Sequence, residues 1–192
     1  MPHESAMDLD NPNEYRRESR AGKILLLLLT LAVFVAALPW FLKPKLVLIP
    51  KGPAPEITAA GWVNGEAPTR ESLAGKVVVL CLWATWCGPC HAEAPHLVAV
   101  HKQFANRGVV FLGLTTDGEA DLDKIHQFLK KAGITWPNGY GAFETSRALR
   151  AEAIPAVYVI GRNGQLRWFD QEDGGDLESA LELVLQESPH RS

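Results

Sequence analysis

The sequence predicts an α/β domain, a sheet packed with helices and carrying one antiparallel hairpin at its end. Three observations point there. Val77 to Trp83 is apolar throughout, rich in β-branched residues and preceded by Gly75, as a central strand covered on both faces requires. Two further runs of this kind, "VVFLGLT" (109–115) and "AVYVI" (156–160), follow it. Segments with apolar residues three or four apart alternate with these runs, the pattern of strands layered with helices.

The helical segments follow in order. His91 to Ala105 carries Leu97, Val100, His101 and Phe104 at helical spacing, and Gly108 lies just past its end. Leu122 to Ala132 repeats the pattern through Ile125, Phe128 and Leu129, with Gly133 placed to stop it in a left-handed turn. Glu144 to Ala151 is a short helix. Leu177 to Gln186 closes the domain, with Asp176 as its N-cap. Asn163-Gly164 signals a hairpin turn between 156–160 and a return strand, "LRWF" (166–169).

The chain has 192 residues, room for one domain plus appendages, and an apolar content of 47% suffices for a core. A formal net charge of −3 gives no basic footprint, so no nucleic-acid partner is expected. "KILLLLLTLAVFVAALPWFLK" holds 19 uncharged residues between Lys23 and Lys43. At 1.5 Å per residue that crosses a hydrocarbon core of roughly 30 Å. It predicts a transmembrane anchor over 23–43, with lipid along 24–42 and Trp40 at the interface. The alternative is a cleaved signal peptide cut near "VAAL" (35–38), although signal cores are usually shorter. Arg16, Arg17, Arg20 and Lys23 before the span, against Lys43, Lys45 and Lys51 after it, give a slight bias. The bias favours a cytoplasmic, disordered tail over 1–22 and an exported C-terminal domain. Residues 44–53 read as a stiff spacer, and the domain is expected over 54–190.

The chemistry is concentrated in "LWATWCGPCHAEAP", Leu82 to Pro95. Cysteine occurs only at 81, 87 and 90, so this is no disulfide scaffold. A lone C-x-x-C beside a strand and helix reads as a redox dithiol, or less often as half of a metal site. Structural zinc would need two more ligands, and neither a second C-x-x-C nor a suitably spaced histidine pair supplies them. No metal and no cofactor is expected. Cys87 would open a helix, where unpaired N–H groups and the helix dipole favour a thiolate. Pro89 is tolerated in a first turn. Cys90 returns to the same side within the roughly 4.4–6.8 Å Cα separation that a disulfide accepts. Cys87 then attacks a substrate disulfide and Cys90 resolves the mixed disulfide. The first role calls for an exposed sulfur of low pKa; the second calls for proximity and a proton acceptor.

"WCGPC" after an apolar strand, with "AIPAVYVI" some 65 residues later, resembles the thioredoxin superfamily. The N-terminal apolar span, "GKVVVLCLWATWCGPC", Glu93-Ala94-Pro95 and the added helical segment resemble its membrane-anchored TlpA/ResA/DsbE-type branch, exported thiol–disulfide oxidoreductases. The resemblance covers residues 53–187. It implies a thioredoxin fold, a central mixed sheet flanked by helices, with Cys87 as nucleophile and Cys90 as resolving thiol. Pro155 matches the family's cis-proline. The backbone of Ile154 would pair with an extended substrate peptide, and Trp86 would shield the sulfur or touch substrate. Glu93 matches an acidic residue near the thiols and would accept the Cys90 proton. Cys81 departs from the pattern: thioredoxin has a buried acid there and the branch often has asparagine. As a small buried hydrophobe it leaves the base role to Glu93 or water.

The resemblance further implies partners: disulfide-containing exported proteins, an apocytochrome c with its C-x-x-C-H site among them, and a membrane thiol carrier as electron donor. The Gly-Pro pair shared with thioredoxin favours a reductant. A sister activity in copper-site assembly or general disulfide repair is the first rival. A copper-binding chaperone using Cys87 and Cys90 as soft ligands is the second; it finds no accompanying Met or His cluster.

Overall fold

The computed structural model describes residues 22–34 and 51–187. Residues 22–34 form a helix, α1, whose side chains are all exposed, Ile24 to Leu29 and Leu31, Val33 and Phe34 among them. Among the described residues no helix is long and apolar enough to cross a membrane. The span expected over 23–43 continues into 35–43, which lies outside the described residues, as do residues 1–21 of the tail expected over 1–22, residues 44–50 of the spacer expected over 44–53, and residues 188–192.

Residues 51–187 build one six-stranded mixed sheet in the order β1-β4-β3-β2-β5-β6. The strands are β1 (Gly61–Val63), β2 (Val77–Trp83), β3 (Val109–Thr115), β4 (Asn138–Tyr140), β5 (Ala156–Ile160) and β6 (Leu166–Phe169). β2 runs parallel to β3, pairing Val77 with Val109 and Trp83 with Thr115, and antiparallel to β5, pairing Cys81 with Val157. All seven residues of β2 are buried because both its faces are covered. Val77, Val79, Cys81 and Trp83 point to one core; Val78, Leu80 and Leu82 point to the other.

The first core is closed by α3 (Gly88–Phe104), α4 (Leu122–Ala132) and α6 (Leu177–Gln186), through Leu97, Val100, Phe104, Ile125, Leu129 and Leu181. On the opposite face, α2 (Arg70–Leu73) and α5 (Phe143–Leu149) contribute Leu73 and Leu149. The helix ends follow the sequence signals. Asp176 accepts the Ser179 N–H at 2.7 Å, and Gly133 ends α4 at φ 72°. Gly161 and Gln165 close the hairpin turn around Asn163-Gly164. α3 begins at Gly88 with Cys87 as its cap, where the reading of Cys87 puts the helix start; the apolar periodicity alone began at His91.

β1, β4 and α2 are elements the periodicity did not predict. Lys51 to Ala54, mostly assigned to the spacer, lie along the edge of β6: Lys51 N–H donates to Leu166 O at 3.0 Å and Ala54 N–H to Gly164 O at 2.9 Å. Lys51 also forms ion pairs with Glu172 and Asp173.

Candidate active site

β2 delivers the chain to the site and α3 carries it away. Between them, Thr85 N–H donates to the Asp117 carboxylate at 2.6 Å, and Cys87 N–H donates to Ala84 O at 3.1 Å. Asp117 is itself fixed at the end of β3, where its N–H bonds the Thr115 hydroxyl at 3.0 Å. The loop that presents Cys87 is therefore tied to the neighbouring strand before the helix starts.

Cys87 and Cys90 form a disulfide with a Cα separation of 5.3 Å. Cys87 occupies the N-cap, and its Sγ accepts the Cys90 N–H at 3.1 Å. A first-turn amide thus points at that sulfur, as the sequence predicted, and the same donor would stabilise a thiolate after reduction. On its other side, Cys87 Sγ lies 3.6 Å from Ile154 O, and the Ile154–Pro155 bond is cis. The elements bring Cys87, Cys90, Ile154 and Pro155 together across 67 residues of sequence.

The sulfurs are less open than expected. Cys87 and Cys90 are each only 3% exposed, whereas Trp86 is 74% exposed. The capping position turns the Cys87 sulfur toward the Cys90 amide and the Ile154 carbonyl. Trp86 stands on the rim next to it.

Behind Cys90 lies a cavity of about 20 Å³, lined by Cys81, Cys90, Glu93, Asn138 and Pro155 among others. That is space for one water molecule. Glu93 is half-exposed; its Oε1 bonds His96 Nδ1 at 2.5 Å, and His96 Nε2 bonds Glu178 Oε1 at 3.0 Å. The hydrogen bond that the Glu93 carboxylate accepts is the main cause raising the His96 pKa above its ordinary value. The cavity wall is stiffened by Trp83, which donates to Asn138 Oδ1 at 3.0 Å and stacks on Phe128 at 4.3 Å. Gly113 is required there, since a Cβ would lie 1.8 Å from Asn138 Oδ1.

Cys81 is buried and unpaired with any sulfur. Burial first, then the nearby charges of Asp170 and Glu93, raise its pKa far above that of a free thiol, so it stays protonated. It can serve neither as base nor as ready nucleophile.

Three residues near the site escaped the sequence reading. Asp117 holds the loop. Asp170 follows β6, its N–H bonded to Val157 O at 3.1 Å, and its Oδ1 is buried without a hydrogen-bond partner. Gln171 donates from its side-chain amide to Ala153 O and Pro155 O, at 3.0 and 2.9 Å. Each acts across the fold from a position in an irregular segment, and no local motif marks it.

Comparison with known proteins agrees with this geometry. The AhpC/TSA family matches residues 50–169. "Thiol-disulfide oxidoreductase ResA" of Bacillus subtilis is 30% identical over 107 residues, 54% of this chain and 57% of its own length. The chain spans 48% of the ResA of Oceanobacillus iheyensis, so it covers about half the length of these two relatives. "Thiol-disulfide oxidoreductase YkuV" of Bacillus subtilis is 32% identical over 143 residues, 71% of this chain and 96% of that one. Among solved structures, a thiol:disulfide interchange protein of the thioredoxin family from Chlorobium tepidum superposes with a TM-score of 0.60 at 28% identity, covering 71% of this chain and 97% of that one. With its mixed sheet, its Cys87–Cys90 pair beside Pro155 and these matches, the chain belongs to the AhpC/TSA family of thioredoxin-like proteins.

Proposed function

We propose that the chain is a membrane-tethered thiol–disulfide oxidoreductase that reduces disulfides of exported proteins. The observation that carries this reading is the Cys87–Cys90 disulfide at the first turn of α3, with the Cys90 amide on the Cys87 sulfur. The names of the relatives support the reaction class.

In the reduced protein the Cys87 thiolate attacks one sulfur of a client disulfide. The client S–S bond breaks, its second sulfur leaves as a thiolate and takes a proton, and a Cys87–client disulfide forms. Cys90 then gives its proton to Glu93, through one water in the cavity between them, and its thiolate attacks Cys87 Sγ. The Cys87–client bond breaks, the first client sulfur leaves, and the Cys87–Cys90 disulfide is restored. Two electrons have passed to the client, and a dithiol donor must return two electrons and two protons. The backbone of Ile154, beside the sulfur, pairs with an extended client segment by strand addition, and Trp86 covers that segment.

Residues 24–42 anchor the chain in the bilayer, and the domain faces the periplasm or exterior. The exposed apolar surface of α1 supports this, because a helix apolar on all sides is stable only when buried in protein or lipid. A membrane thiol carrier donates the electrons, and an apocytochrome c is the favoured client. Replacing Cys90 by serine tests the whole reading: the mixed disulfide on Cys87 should accumulate and be released by dithiothreitol. Absence of any adduct under turnover conditions contradicts the division of roles. A captured C-x-x-C-H protein supports the cytochrome client; a captured copper-site protein replaces it.

A further inference from the structure

We propose that Gln171 is a positioning residue of the exchange site: its side-chain amide fixes the Ala153–Pro155 turn so that Ile154 presents its backbone to a client polypeptide beside Cys87. This inference rests on the exchange reading above and adds to it the device that holds the client-binding edge.

The geometry is direct. Nε2 of Gln171 donates to Ala153 O at 3.0 Å and to Pro155 O at 2.9 Å, one carbonyl on each side of Ile154. An amide nitrogen has two N–H groups, and two carbonyl acceptors can be served only by that end of the side chain. The turn needs such support. From 151 to 155 the chain forms neither helix nor strand, lying between the end of α5 and the start of β5. Ile154 O is itself 3.6 Å from Cys87 Sγ, so the turn that Gln171 holds is the edge a polypeptide client meets beside the sulfur.

The base on which Gln171 stands is firm. Phe169 N–H donates to Asp173 Oδ2 at 2.6 Å, Asp173 N–H to Phe169 O at 3.0 Å, and Trp168 Nε1 to Gly174 O at 3.0 Å. Lys51 adds an ion pair to Asp173 at 3.2 Å. A side chain on a braced turn can hold a less regular one in place. Gln171 is exposed, and bonds made in water contribute little to folding. Their effect is on the position of the turn, and so on how a client docks.

A small aromatic disulfide reaches the sulfur without pairing to Ile154, whereas a polypeptide uses that edge. Gln171→Glu keeps the shape of the side chain and removes both N–H donors; Gln171→Ala removes the side chain. The full chain is assayed in detergent, with insulin and dithiothreitol for the polypeptide disulfide, and, for the small one, as the oxidation of pre-reduced chain, freed of dithiothreitol, by 5,5′-dithiobis(2-nitrobenzoate). Both variants should raise the KM for insulin about fivefold or more while kcat stays within about twofold. The rate of reaction with the small disulfide and the melting temperature should match those of the parent. An unchanged insulin KM, or an equal loss on both substrates, overturns the positioning role. A parent chain that reduces neither substrate overturns the exchange reading itself, and this inference with it.

Discussion

Cys87 is buried although its chemistry demands access to a client. The position that hides it also aims its sulfur at the Cys90 amide, the contact on which the proposed activation rests. Cys87 and Cys90 were legible in the sequence because strand, turn and helix start are local signals, whereas Pro155 was reached only through the family resemblance. The burial of the sulfur was not legible, since it depends on Ile154, 67 residues away. Asp170 was illegible for the same reason. Burial first, with the charge of Glu93 adding to it, raises its carboxyl above the usual range, against backbone N–H groups of Val157 and Gln171 that lower it. The folded chain therefore holds that proton more tightly than the unfolded chain does. The stability this group contributes is full below the unfolded value of about 3.9 and is lost as pH rises through the folded value. Asp170→Asn should thus raise the melting temperature by a few degrees at neutral pH and leave it unchanged near the unfolded pKa. Equal shifts at both pH values would contradict an ionisation effect.

At the scale of elements, the three long strands and the main helices could be read from periodicity. β2 has both faces covered, so its apolar run is unbroken. β1 and β4 have three residues each, too few for a period, and they pair only with each other and with β3. The join between β2 and α3 depends on another such contact. Thr85 N–H has the Asp117 carboxylate as its acceptor, 32 residues away. Asp117→Ala leaves that part-buried donor without it, at a cost of about 1–3 kcal/mol. Denaturant unfolding should show the loss as a lower midpoint at constant slope, with slower exchange chemistry from a looser Cys87 loop. A variant as stable and active as the parent would mean that the loop is held by the disulfide alone.

For the whole molecule, the proposed reading gives anchoring to the apolar segment at 24–42 and chemistry to the folded domain. The proposal of an anchor rests on composition, since nineteen uncharged residues stand between Lys23 and Lys43. The full chain, expressed in a bacterium, should stay with the membrane pellet through alkaline carbonate extraction. Its domain should be reachable by a membrane-impermeant protease only from the exported side. Recovery in the carbonate supernatant would contradict the anchor, and cleavage from the cytoplasmic side would reverse the orientation.

The activating role of the α3 N-terminus is tested most directly by the pH dependence of Cys87 alkylation in the reduced chain. With Cys81 buried and Cys90 replaced by serine, the rate reports one sulfur. It should follow an apparent pKa about one unit or more below the ordinary 8.5 of a free cysteine. A titration at 8.5 or above would show that the helix terminus confers no special reactivity on Cys87.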